Sequence, residues 1–265
     1  MKKFQVLLSA MGLADESYLD TLNVKSDAVI INQCDRDSKK TVERNIDGKI
    51  THVTYIESTE RGLSRSRNMA LKNAEADICI LCDNDVEYID GYEDIILKEF
   101  KDNPEADIIV FYIKRKEKPI PNYPTKRYMN YLSVLKIFSP EIAFRRESVL
   151  DIPFDEDFGA GSGKYLMGEE NIFLYNCLKR YKKILYVPVQ IANLREEEST
   201  WFKGYNDMFF ISRGAGYTAM SKAASHFLIW QFAIRKINLY RNNLSPIQAI
   251  RLMYRGRKEY LRSRT

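Results

Sequence analysis

Ile78-Cys79-Ile80-Leu81-Cys82-Asp83-Asn84-Asp85-Val86 is an unbroken apolar or sulfur-bearing run that empties into two carboxylates one residue apart. Short, continuous and bounded by charge, it predicts a strand buried on both faces of a parallel sheet. In an open α/β sheet such a strand delivers the residues after it to the carboxyl edge, where ligands bind. Here those residues are Asp83-Asn84-Asp85.

Two acids so placed repel each other and lose hydration, which a divalent cation preferring hard oxygen donors offsets; Mg²⁺ or Mn²⁺ suits. Asp and Asn are also ordinary turn residues, so the triplet alone leaves a turn open. The chain on either side adds to the metal reading.

Upstream, residues 4–9 (Phe-Gln-Val-Leu-Leu-Ser) predict a first buried strand, residues 28–35 a second that ends in Asp35, and residues 53–56 a short third. A polar, helical stretch is expected over 16–22. The alternation argues for a parallel sheet with helices on its faces, its strand-end residues Ser9, Asp35 and Asp83 along one edge. Residues 62–74 read as a helix whose Leu63, Met69, Ala70 and Ala74 share an apolar face, with Gly62 relaxing the turn before it. Its start carries Arg61, Ser64, Arg65, Ser66 and Arg67. Such a run suits a solvated face, and equally a diphosphate cradle at a helix N-terminus.

In this order, the strands, the Arg-Gly-Leu-Ser-Arg-Ser-Arg-Asn helix start and Leu-Cys-Asp-Asn-Asp resemble the nucleotide-binding half of family 2 glycosyltransferases with the GT-A fold. That fold is α/β and Rossmann-like, a mostly parallel central sheet flanked by helices. The resemblance implies that Asp35 meets the nucleotide base, that Arg61, Ser64 and Arg67 lie near the diphosphate, and that Asp83 and Asp85 hold a metal bridging it. Ser9, Ala10 and Asn84, at the same strand ends, complete the expected donor contacts.

Downstream, residues 91–101 predict a helix, 107–113 a strand, and 114–124, with three prolines and mixed charge, an exposed loop suited to binding or to linking. Residues 142–147 continue the sheet where the family chooses its acceptor. Gly159, Gly161 and Gly163 precede Lys164, but Tyr165 comes next, so a P-loop is not supported. Gly168-Glu169-Glu170 opens an amphipathic helix, packing through Ile172, Leu174, Cys177 and Leu178. Acids in a first turn oppose the helix dipole, which accounts for one of them. The resemblance makes the other a general base: it aligns with a Gly-Glu-Asp motif, placing the base at Glu170, with Glu169 the alternative, and Gly168 on the acceptor side. Residues 183–189 predict a late strand. Ser199-Thr200-Trp201 resembles an acceptor-side family segment, though residues 191–194 lack the His that many metal-dependent relatives place before it.

Composition bounds the rest. With 45% hydrophobic and 29% charged residues among 265, the chain is an ordinary globular one. No apolar run approaches the roughly 20 residues of a spanning helix, and the start of the chain lacks a secretory cleavage pattern, so a cytoplasmic protein is expected. Cys34, Cys79, Cys82 and Cys177 fit a reducing compartment. Cys79 and Cys82 would point to opposite faces of a strand, against a redox pair, and with only His52 and His226 a zinc cluster is poorly supported.

The net charge of +5 is local: from Lys222 onward ten Lys or Arg face one acid, Glu259, a net of +9 against −4 for the remainder. Two basic helices are expected there, separated by Asn242-Asn243-Leu244-Ser245-Pro246, with Ser245 an N-cap and Pro246 in the first turn. They suit packing on the catalytic domain or an anionic bilayer; without a recognition fold, nucleic acid is not expected.

The expectation is therefore a GT-A domain over 1–220 and a basic amphipathic helical extension over 221–265. Its activity would be metal-dependent, inverting transfer from a nucleotide-diphosphate sugar, a UDP-sugar first, to a hydroxyl of a growing, lipid-linked bacterial polysaccharide at the inner face of the cell membrane. The alternatives are a metal-dependent nucleotidyltransferase and a non-catalytic membrane-associated protein of the same fold.

Overall fold

The structure, a computed structural model, describes residues 3–195, 202 and 204–264. By contact density the chain divides into two compact units, the first holding Met1–Arg61, Arg65–Pro153 and Cys177–Glu197, the second Gly62–Ser64, Phe154–Asn176 and Glu198–Thr265.

The first unit is built on a sheet of β1 (Phe4–Met11), β2 (Ala28–Gln33), β3 (Ser38–Ile46), β4 (Lys49–Ser58), β5 (Ile78–Cys82), β6 (Val86–Tyr88), β7 (Ile108–Lys114), β8 (Arg127–Tyr128), β9 (Ile142–Arg145) and β10 (Ile184–Leu194). The order is β3-β4-β2-β1-β5-β9-β7-β10-β6, with β8 paired to β10. Its helices include α1 (Tyr18–Thr21), most of α2 (Leu63–Asn73), α3 (Tyr92–Asp102) and α4 (Arg146–Val149).

Every residue of β2 and β5 is buried, as are all of β1 except Met11, because apolar side chains on both faces need cover on both faces. Strands β4, β2, β1 and β5 run parallel, β1 being paired on one side with β2 and on the other with β5. The second neighbour of β5 is β9, which is antiparallel. The expected parallel setting of β5 thus holds on one side only, since an apolar run records burial and not the direction of its neighbours. Strand β3 was not anticipated: its Ser-Lys-Lys-Thr-Val-Glu-Arg-Asn-Ile is mostly exposed and pairs antiparallel with β4 around Asp47-Gly48 at the sheet edge.

In the second unit are the start of α5 (Glu169–Lys179), then α6 (Asp207–Met220), α7 (Ala224–Arg235), α8 (Ile237–Tyr240) and α9 (Pro246–Arg262). Ser245 caps α9 reciprocally with Gln248, and Pro246 comes next. Helices α6 and α9 touch at backbone level. A Cβ on Gly214 would stand 1.9 Å from the Met253 carbonyl oxygen, and one on Gly256 1.9 Å from that of Ile211, so both positions exclude any side chain. Among the described residues no helix is long and apolar enough to cross a membrane.

Candidate active site

In the first unit, the parallel strands end along one edge, and the chain reverses its winding at β1, the switch point where such sheets hold ligands. Ser9 and Ala10 extend past the last β1–β5 pair, Leu8 with Cys82, and both are buried. Asp35 lies just beyond β2 with a fully exposed side chain, and Arg61 Nη2 donates to its Oδ1 at 2.7 Å. Arg61 Nη1 donates to the carbonyls of Cys34 (2.9 Å) and Thr59 (2.8 Å), tying together the loops after β2 and β4. Glu57 braces the same loop by accepting from Arg36 Nε at 2.8 Å and Ser38 Oγ at 2.6 Å. Arg36 foremost, then Ser38, hold its carboxyl down at about 2.

The acidic triplet is held by its side chains and its backbone. Arg67 Nη2 donates to Asp83 Oδ1 at 3.0 Å and to Ser139 Oγ at 2.7 Å, while Ser139 Oγ donates to Asp83 Oδ2 at 3.3 Å. Arg67, expected at the diphosphate, is 1% exposed, so its immediate work is to fix Asp83. The Asn84 carbonyl accepts from Tyr18 Oη and Arg195 Nη2, both at 2.8 Å, and the Asp85 carbonyl from the Arg195 N–H at 2.8 Å.

The pairing of Leu194 with Val86 sets Arg195 opposite Asp85. Sequence reasoning missed Arg195, Glu57 and Ser139: Arg195 follows β10, Glu57 lies one residue before the end of β4, and Ser139 opens the turn before β9, and no local motif marks them. Helix α2 also differs from expectation. Its buried side chains are Ser64, Ser66, Arg67, Asn68, Ala70 and Leu71, whereas Leu63 and Met69 are only partly covered. The hydrogen bonds of Ser64 and Arg67 help this helix bury a polar face that apolar counting cannot register.

Just past Ser139, Glu141 is fully buried and accepts from Lys118 Nζ at 3.0 Å and from the Phe138 N–H at 3.0 Å. Burial lowers the Lys118 pKa, against the pull of Glu141. The loop after β7 is thus pinned to the turn that braces Asp83. Cys79 and Cys82 are buried free thiols with raised pKa values, the first about 12, through desolvation, so they are inert as a redox pair.

Asp83 and Asp85 offer the hard oxygen donors that Mg²⁺ and Mn²⁺ prefer. Among the described residues no group of three or more His, Cys, Asp or Glu could hold a metal.

In the second unit, Ser64 is buried and donates to the Phe158 carbonyl at 2.7 Å, and the Leu63 N–H donates to that of Ala160 at 2.9 Å. The glycine-rich stretch thereby caps the start of α2. Gly168 precedes α5, its carbonyl accepting from the Ile172 N–H at 2.9 Å. Glu169 is buried, with its carboxyl packed where Gly159 leaves room: a Cβ there would lie 3.2 Å from Glu169 Cδ. Glu170 is partly exposed. Ser199, Thr200 and Trp201 lie outside the described residues.

Residues 18–161 match the family model described as Glycosyl transferase family 2, and the chain belongs to that family. It is thus a glycosyltransferase of GT-A fold. Among solved structures it is similar to residues 1–349 of S. aureus TarS, at 15% identity and TM-score 0.60 over 91% of this chain and 73% of that one. The same fragment in complex with UDP-GlcNAc aligns at 16% identity and TM-score 0.57, over 98% and 71%. The mannosyltransferase PcManGT from Pyrobaculum calidifontis, in complex with GDP-Man and Mn²⁺, aligns at 14% identity and TM-score 0.52, over 97% and 69%. A comparison with curated proteins found no match.

Proposed function

We propose that this glycosyltransferase moves a sugar, with inversion, from a UDP-sugar to a hydroxyl of a growing, lipid-linked glycan. The observation that carries the reading is the carboxyl edge of the first unit, where Asp35 with Arg61 and Asp83 with Arg67 and Ser139 form two braced acidic sites at strand ends. The solved complexes of TarS with UDP and UDP-GlcNAc support a uridine donor.

In this reading Asp35 accepts from the N–H of the base, and Arg61 keeps that carboxylate in place. Ser9, Ala10 and Asn84 line the donor, with Ser64 at the helix start beside it. Asp83 and Asp85 would hold Mn²⁺ or Mg²⁺, which when bound neutralises charge on the departing diphosphate. Glu170, partly exposed, takes the proton of the acceptor hydroxyl as its oxygen bonds to the anomeric carbon and the bond to the diphosphate breaks. Buried Glu169 is the alternative base. Gly168, Ser199, Thr200 and Trp201 border the acceptor. Residues 1–220 carry these groups, and 221–265 are the extension that meets the acceptor's lipid environment, at the inner face of a bacterial cell membrane.

A thermal-shift screen of nucleotide-sugars with and without Mn²⁺, then product analysis on the hit, tests this. The expected result is stabilisation by one UDP-sugar with Mn²⁺ and release of UDP on transfer. Calorimetry finding no UDP-sugar bound would favour a non-catalytic protein that keeps the fold.

A further inference from the structure

The outer face of α7 exposes three large apolar side chains: Phe227 is 60% exposed, Trp230 51% and Ile234 64%. Their spacing of three and four residues stacks them in one stripe along the helix. The opposite side of α7, with Leu228, Ile229, Phe232 and Ala233, is buried, so the stripe is surplus to the core. Beside it, His226 Nδ1 lies 2.9 Å from Tyr254 Oη. Tyr254 in turn lies on a shallow, open stretch of the α9 surface with Arg257, Lys258, Leu261 and Arg262. The apolar stripe of α7 and the cation-bearing surface of α9 are therefore neighbours within the second unit. Farther back on α9, Ile247 and Arg251 are exposed one turn apart on the side that carries Tyr254 and Lys258.

We propose that this face docks the protein on the surface of an anionic phospholipid bilayer, with Phe227, Trp230 and Ile234 in the headgroup and acyl boundary and Lys258 and Arg262 of α9 at the lipid phosphates. It extends the lipid-linked acceptor reading by naming the surface that meets the lipid. An aromatic and aliphatic stripe flanked by cations is what interfacial binding requires. Charge selects the occupant: the segment from Lys222 onward carries +9, so two copies meeting here would repel, whereas an anionic leaflet attracts it. A nucleic acid would answer the charge but leave Ile234 and Phe227 without an apolar partner.

The test is sedimentation of the full chain with vesicles of phosphatidylglycerol and phosphatidylcholine, against phosphatidylcholine alone. Binding is expected only to the anionic vesicles, and it should weaken as salt rises from 50 to 500 mM. The double variant Phe227→Ala/Trp230→Ala should reduce it at least tenfold, and Lys258→Glu/Arg262→Glu should abolish the preference for anionic lipid. Circular dichroism and the thermal shift with UDP and Mn²⁺ establish whether each variant keeps its fold and donor site. If a variant is misfolded, quenching of wild-type tryptophan fluorescence by brominated acyl chains reports insertion directly. Failure of the wild type to sediment with anionic vesicles at low salt, or undiminished binding by folded variants, overturns the proposal. So does a salt-dependent dimer that the same substitutions abolish. None of these readouts requires sugar transfer, so the docking surface and the catalytic reading fail separately.

Discussion

At residue scale, Asp35, Glu57 and Asp83 are carboxylates each held by a named donor. Asp85→Ala should abolish transfer while the melting curve and circular dichroism stay near wild type; retained turnover would remove Asp85 from the reaction. Glu170→Gln should bind donor with unchanged affinity yet transfer at least 100-fold more slowly, as expected on losing a general base. An unchanged rate there, with a slow Glu169→Gln, would move the base by one residue. Arg67→Ala leaves Asp83 without its buried partner and should destabilise the protein by on the order of 3 kcal/mol, read by urea denaturation.

Glu57 supplies the pH dependence. Its folded pKa of about 2 is below the ordinary 4.5, so the stability it contributes is complete above that ordinary value and is lost as pH falls toward 2. Nucleotide affinity should accordingly show no Glu57 titration between pH 5 and 9, and Glu57→Gln should weaken it throughout that window. The positions of Asp35 and Asp83 at strand ends were legible because each follows an apolar run. The partners of the acids were not: Arg195 comes to Asp85 through a strand pairing that joins residues more than a hundred positions apart, which no local pattern encodes.

At the scale of elements, buried strands announce themselves and polar ones do not. Strands β1, β2, β5 and β7 were readable from apolar runs, whereas β3 and β6 needed partners to exist at all. Helix α2 was readable in place but not in orientation, because its inward face is stabilised by hydrogen bonds and an ion pair. The α6–α9 crossing was invisible for a similar reason, since Gly214 and Gly256 matter by the absence of a side chain. Gly214→Ala would drive a methyl into the Met253 carbonyl, so the helices must separate or shift. A loss of at least about 3 kcal/mol is expected, at the upper end for overpacking. A calorimetric melt of this variant within a degree of wild type would refute the backbone-level contact.

For the molecule as a whole, each of the two compact units is assembled from three separate stretches of chain. A cut at a single position would not free either one, and limited proteolysis should release no folded fragment corresponding to a whole unit. The charge division was legible from counting alone; the unit division was not, because it interleaves along the sequence.

The sheet's open end has a further effect on how the protein behaves in a crowded solution. Among the described residues strand β3 has no partner on its outer side, the kind of edge that recruits strands from other chains, but it carries the exposed Lys39 and Lys40. An approaching β3 from another copy would bring the same cations against them, so stacking edge to edge is disfavoured before any contact forms. Replacing Lys39 and Lys40 by valine should therefore leave the monomer folded yet turn concentrated samples turbid, and clear solutions by light scattering would show that the edge is guarded by something else.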